Sequence, residues 1–387
     1  MHLTKALSVG APILGVVEAS PSSARAFTKR HATSSQEYDF VIVGGGTAGL
    51  TVVPPSFGRL SPEVRTGDRL PSRCSVNNRS ATVVLGMTVG GGSAVNGQFL
   101  DRGSRYDYDE WTRLGSPEFD NTSDIWDWEN FGPAFGKASA SLFLTEPSHQ
   151  LVRENGYTWD ASYYTGDSIQ APFPPFQWPM QSVGWKAYEE LGLETPVCCD
   201  EGNKRGICWA HTAKNSETIE RSHAGVGHYT RIADSLRNLH LLVEHKVMRL
   251  IIDKDNDAPP VVEFRPVAGG EIQTIRPKHE VILSAGAVHT PQILQRSGVA
   301  SANYLESEGI DLVEDLPGVG QNFQDHCGIP LAWSYDEPSP KEADITNNAT
   351  YAAEAVAQFR ERPARGPYTL AMDRGPLRPR PSPRHGC

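Results

Sequence analysis

Long apolar runs are missing from this chain of 387 residues, and so is any excess of positive charge. The apolar run from Ala6 to Val17 is too short to cross a bilayer, so no membrane span is expected. A net charge of -10 leaves no basic face to displace phosphate counterions, which excludes nucleic acid as a partner. Cysteine is sparse: Cys74, Cys198, Cys199, Cys208, Cys327 and Cys387 are scattered, and no pair has zinc-site spacing. A chain this long does not need a disulfide framework to fold. The Cys198-Cys199-x8-Cys208 cluster offers one disulfide, with small buried or free thiols as an equal alternative. What remains is a globular chain, 39% apolar, sized for about two domains and suited to a small-molecule substrate.

The most informative stretch is Tyr38-Asp39-Phe40-Val41-Ile42-Val43-Gly44-Gly45-Gly46-Thr47-Ala48-Gly49-Leu50. An apolar run of a buried strand leads into Gly44-x-Gly46-x-x-Gly49, the pattern that allows a tight turn, close approach to a pyrophosphate and close helix packing. A helix is expected from there, but Pro54-Pro55 follows about one turn later and removes amide donors. A complete dinucleotide unit continues to an acidic residue about 20 positions on, which binds ribose hydroxyls. Here that interval holds no apolar run for a second strand, so Glu63 and Asp68 are candidates by distance only, and solvated loop carboxylates are the better reading.

Residues 1–37 read as a leader. Lys5, the apolar run and the small-x-small sequence Ala24-Arg25-Ala26 follow the order of a secretory signal, against a disordered or mitochondrial leader suggested by the acid-poor stretch from Ser20 to Ser35. Sequons at Asn78, Asn121 and Asn348 fit a secretory route, so a secreted glycoprotein is expected.

Further along, Ala81 to Leu85 reads as a short strand entering Gly90-Gly91-Gly92-Ser93-Ala94-Val95-Asn96-Gly97, a loop able to lie flat against a planar or anionic ligand. Tyr106 to Leu114 has helical spacing. From Trp126 to Trp185 the aromatic, Pro and Gly content argues against long regular elements and for a cap, its aromatics more often packing than substrate wall. Val226 to Leu236 reads as helix and Leu239 to Ile252 as strand, with a hairpin around Gly269-Gly270. Glu280 to Leu283 then repeats the opening logic, a buried strand ending in Ser284-Ala285-Gly286, with Thr290-Pro291 capping a helix. Both junctions point to one parallel sheet whose strand ends face a common ligand. His289 beside the second junction reads as a helix-cap or solvent-facing residue rather than a catalytic one.

Taken together, the Gly44 to Gly49 fingerprint, the Gly90 to Asn96 loop, Ser284 to Val299 and Leu316 to His326 resemble the glucose-methanol-choline (GMC) flavoprotein oxidoreductases, in particular the fungal branch with aryl-alcohol and glucose oxidases. The resemblance covers Tyr38 to Val52 and about Asn77 to Leu370. It implies an α/β fold: an FAD-binding, Rossmann-like domain from 38–125 and 200–330, a cap or substrate-side segment at 126–199, and the start of an α+β substrate domain at 331–370. It implies FAD contacts from Gly44, Gly46, Thr47, Ala48 and Gly49, from Val89, Gly92, Asn96, Gly97, Gln98 and Phe99, from the Val247 backbone, and from Ala285 and Gly286. The implied reaction takes a proton from a small-molecule alcohol while hydride moves to the flavin, which oxygen or another acceptor reoxidises.

The family's base, a late histidine, has no counterpart in this sequence; His326 and His385 are not promoted to it, and no catalytic residue is assigned. With the missing second strand, this gives the expectation of an incomplete fold, shortened internally and at the C-terminus, ending in an irregular Pro/Arg/Ser tail at 371–387. A redox-neutral cyclase and a non-catalytic remnant are the alternative readings.

Overall fold

The computed structural model describes residues 38–52, 85–86, 88–117, 126–138, 140–141, 146–157, 166, 168–194, 199–233, 235–236, 238–325 and 339–370. Expectations for the leader, Pro54-Pro55, Glu63, Asp68, Cys74, Asn78, Asn121, Cys198, His326, Cys327, the strand at Ala81 to Val84 and the tail, with His385 and Cys387, lie outside them.

The first half of the chain carries β1 (Tyr38–Val43), α1 (Thr47–Thr51), β2 (Phe99–Leu100), α2 (Arg105–Leu114), α3 (Trp128–Ala138), β3 (Ala140–Ser141), α4 (Glu146–Asn155), β4 (Ile169–Gln170) and α5 (Pro179–Glu190). The second half carries β5 (His211–Thr212), α6 (Arg231–Ala233), β6 (His245–Ile251), β7 (Val261–Pro266), β8 (Gln273–Ile275), β9 (Pro277–Leu283), α7 (Gly286–Arg296), β10 (Val299–Ala300), α8 (Ala302–Ser307), β11 (Glu314–Asp315), α9 (Glu342–Asn347) and α10 (Ala349–Arg360).

The centre is a parallel pair, β1 on β9, with Val41, Ile42 and Val43 opposite Val281, Ile282 and Leu283. Both faces of β1 are covered, as a continuous apolar run in a parallel sheet requires. Val41 and Val43 join Leu250, Val262, Phe264, Ile275 and Ile293 in one cluster. Ile42 joins Leu50, Val89, Ala224, Tyr229 and Leu239 in another. Tyr38 packs with Val41 and Val43, although strict alternation would place it with Phe40 and Ile42. The register irregularity between Tyr38 and Phe40 accounts for this, since one irregular step flips the side-chain phase.

The antiparallel sheet β6-β7-β8 lies on the first cluster, with α7 against it through Ile293 and a hydrogen bond from the Leu250 amide to Ser297 Oγ at 2.8 Å. Its β7-β8 hairpin is the one expected around Gly269-Gly270, both of which have positive φ. The expected α2 is also present, held by a capping box in which Ser104 and Asp107 satisfy each other's backbone amides.

Several expectations need correcting. The 126–185 stretch does form regular elements: α3 has 11 residues, α4 has 10 and α5 has 12. Average composition hid them, because Pro179 sits in the first turn of α5, where its missing amide costs nothing. Leu239 to Val243 is not strand; the strand begins at His245, although Leu239 and Leu242 are buried. The expected Val226 to Leu236 helix is a π-helix over Gly225–Thr230 running into the short α6. Finally, α7 begins at Gly286, and Pro291 lies inside it rather than at its start.

Candidate functional site

Two glycine loops and one strand end meet at the C-terminal end of the β1-β9 pair. The Gly90 amide donates to Gly45 O at 2.9 Å, tying the second loop to the first. A Cβ on Gly91 would lie 2.7 Å from Gly46 Cα, so the loops touch backbone to backbone. From the second junction, the Ser284 amide donates to Val43 O at 2.8 Å, and its hydroxyl donates towards Val43 O and Gly44 O at 3.2 and 3.3 Å. Gly44 has φ +117, and a Cβ there would sit 2.3 Å from Ser284 O. A Cβ on Gly49 would sit 1.9 Å from Gly44 O.

The second loop is fixed from behind. Gly90 and Gly91 have φ of +108 and +52 and open a 3-10 turn over Gly91–Ala94. Ser93 Oγ donates to Gly90 O at 2.6 Å and accepts from the Ala224 amide at 3.1 Å. The His223 ring fills the space beside Gly90 and accepts from the Gly225 amide at Nδ1. Burial, aided by the neighbouring Arg221 charge, pushes the His223 pKa down and keeps the ring neutral.

In contrast to these crowded glycines, an added Cβ at Gly45, Gly92 or Gly286 would meet nothing within 4 Å. The segments 43–52, 88–97 and 284–287 hold no acidic residue, although the chain as a whole has a net charge of -10. Open glycine backbone without acidic side chains fits the pyrophosphate of a dinucleotide. The expected helix after the fingerprint is only the five-residue α1, too short for a helix dipole to add much, so the fit rests on the glycine cradle.

Of the sequence-predicted residues, Gly44, Gly46, Thr47, Ala48, Gly49, Val89, Gly92, Ala285 and Gly286 lie on the three segments that meet here. Asn96, Gly97, Gln98 and Phe99 continue the second loop into β2, where Phe99 pairs with Thr212 and stays 50% exposed. Val247 lies in β6, paired with Phe264 of β7, with its side chain in the apolar cluster behind β1. His289 is buried, not solvent-facing, with Nδ1 3.1 Å from Gln292 Oε1. Arg221 and His223 lie outside every motif of the sequence: Arg221 reaches the loop across 125 residues, and no local pattern marks either one.

Around the cradle, His211 on β5 is pushed down to about 4 by burial and is therefore neutral. The buried Lys214 donates to Thr369 O and Leu370 O at 2.9 and 2.7 Å, docking the segment after α10. Aromatics of the 126–199 stretch pack on their neighbours: Phe131 of α3 lies 5.4 Å from Tyr108 of α2, itself 5.0 Å from Trp111, and Tyr157 stacks on Trp209 at 4.8 Å. Cys208 is disulfide-bonded. Among the described residues there is no cluster able to hold a metal ion and no helix long and apolar enough to cross a membrane.

Residues 38–328 match the family model for the GMC oxidoreductases. The chain belongs to that family. It is 32% identical over 362 residues to the dehydrogenase xptC of Emericella nidulans, covering 84% of this chain and 56% of that protein. It is 28% identical over 372 residues to patulin synthase of Aspergillus clavatus, covering 85% and 56%. Among solved structures, a new fungal aryl-alcohol oxidase is 40% identical with a TM-score of 0.78, over 88% of this chain and 61% of that one. An FAD-dependent oxidoreductase from Chaetomium thermophilum is 30% identical with a TM-score of 0.75, over 87% and 60%. The chain thus spans a little over half the length of the curated relatives it matches. Its fold is the α/β, FAD-binding fold of the GMC enzymes, and the cofactor of that fold is FAD.

Proposed function

We propose that this chain carries the FAD-binding part of an oxidoreductase that oxidises an alcohol group of a small organic molecule, in fungal secondary metabolism. The observation that carries the reading is the cradle of open glycines between the loops, free of acidic side chains, at the end of β1. Gly44 to Gly49 would hold the pyrophosphate by backbone amides, with the open backbone at Gly92 beside them, while the Gly90 and Gly91 amides are spent on Gly45 O and Thr88 O; Asn96 to Phe99 would lie towards the flavin. FAD, when bound, supplies the hydride acceptor, and oxygen or a second acceptor restores it. This chain's residues bind and orient; none of the described ones is assigned as the base that takes the alcohol proton. The dehydrogenase and synthase relatives, and the aryl-alcohol oxidase neighbour, support the alcohol and secondary-metabolite parts of the reading. The Cys208 disulfide supports passage through an oxidising compartment.

The first test is a visible spectrum of the purified protein. One bound flavin gives an absorbance band near about 450 nm, and its absence after incubation with FAD would refute the cofactor assignment. A panel of aryl and aliphatic alcohols is then tested for oxygen uptake or dye reduction. Turnover with neither would replace alcohol oxidation by a redox-neutral ring closure.

A further inference from the structure

We infer that Arg221 locks the Asn96 carboxamide so that its NH2 group, not its carbonyl, is the group offered to the cofactor; this rests on the FAD reading above. Asn96 closes the glycine loop, its amide donating to Gly92 O at 2.9 Å. Arg221 Nη1 donates to both Asn96 O and Asn96 Oδ1, each at 2.8 Å. The Gln98 amide donates to the same Oδ1 at 3.0 Å. A guanidinium and a backbone amide have no acceptor, so the side-chain oxygen must face them and the NH2 must face away. Both lone pairs of Oδ1 are thereby used. The NH2 of the exposed Asn96 has no protein partner among the described residues.

The chain holds Arg221 itself in place. Lys214 and Arg221 form an antiparallel bridge, and Lys214 is anchored to the carbonyls of Thr369 and Leu370. The Ser222 amide donates to Ala213 O at 2.9 Å on the same ladder. Arg221 is therefore a positioning residue: it acts on the cofactor through Asn96, presenting a donor to an acceptor atom of FAD.

The test is FAD titration of the apo-protein, followed by quenching of flavin fluorescence, beside thermal unfolding of the same apo-proteins. Arg221→Met should weaken FAD binding roughly tenfold or more, and Arg221→Lys should recover much of it, since an ammonium still donates to both oxygens. Asn96→Asp separates orientation from structure. It keeps or strengthens the bond to Arg221 and so should not lower the apo unfolding temperature, yet it should lose as much FAD affinity as Arg221→Met because it has no NH2. The double variant should bind no worse than Asn96→Asp alone. Wild-type affinity in Asn96→Asp, unchanged affinity in Arg221→Met, or additive losses would each overturn the proposal. If the wild-type protein takes up no FAD, the cofactor reading and the presented donor fall together. The lock is then judged separately by a double-mutant cycle of Arg221→Met and Asn96→Ala in apo unfolding, where zero coupling overturns it.

Discussion

The two strand-to-helix junctions at the end of the central sheet look alike in sequence and use glycine for different reasons. At the first, β1 to α1, glycine is demanded by space at Gly44 and Gly49, and at Gly44, with φ +117, by torsion as well. Gly49 carries no left-handed torsion, yet a Cβ there would sit 1.9 Å from Gly44 O and 2.7 Å from Ser284 Oγ. At the second, β9 to α7, glycine is demanded by torsion: Gly286 has φ +82, and a Cβ would meet nothing within 4 Å. The first junction is clamped between the second junction and the Gly90 loop, while the second faces open space. One end of the sheet thus has a crowded side that fixes the backbone and an open side that can admit a ligand.

Substitution to alanine should separate the two kinds of glycine. The largest effect is expected for Gly49→Ala, because its close neighbours are a backbone carbonyl and a side chain bonded to backbone, neither free to move away. Overpacking there should cost about 3 kcal/mol of unfolding free energy, read as a shift in the denaturation midpoint. A loss below about 1 kcal/mol would mean that the junctions are not clamped and would break the comparison.

A smaller loss is expected for Gly286→Ala, about 1 kcal/mol from the left-handed torsion alone. Gly286→Asn should cost less than Gly286→Ala, since Asn tolerates that torsion better, whereas a steric origin would rank the larger Asn as worse. Chemical denaturation of the pair reads this order directly. Equal losses at Gly49 and Gly286 would erase the distinction.

The same contrast explains what could be read from the sequence. The fingerprint, the second glycine loop, α2, the β7-β8 hairpin and the parallel β1-β9 pair are legible because each carries a local pattern: a glycine motif, helical spacing, alternation around a turn dipeptide or an apolar run. The start of α7 is hidden in the sequence because Pro291 reads as a helix start, while the left-handed Gly286 already turns the chain into the helix. The strand at Leu239 was over-extended because burial alone reads like strand. The π-helix at Gly225–Thr230 has no sequence signature of its own; it lies where Gly225 and Gly227 pack against Val89 O and Ser168 O. At the site, the glycines were visible, but what holds them was not. Arg221 to Asn96 and Ala224 to Ser93 span 125 and 131 residues, and only the fold brings those ends together.

The smallest stability effect and the most specific binding effect should come from Gly92→Ala. Gly92 is exposed, does not have the positive φ of Gly90 and Gly91, and an added Cβ would touch nothing within 4 Å. Unfolding free energy should therefore stay within about 0.5 kcal/mol of the parent, as for an unremarkable surface change. If the open space is cofactor space, the new methyl group occupies room that FAD needs, and affinity should fall about tenfold or more, equivalent to at least about 1.4 kcal/mol. Unchanged stability with lost affinity would show that the open glycines serve the ligand as the crowded ones serve the fold. Unchanged affinity would move the cofactor away from Gly92 and leave the crowded junction without the ligand-facing side assigned to it.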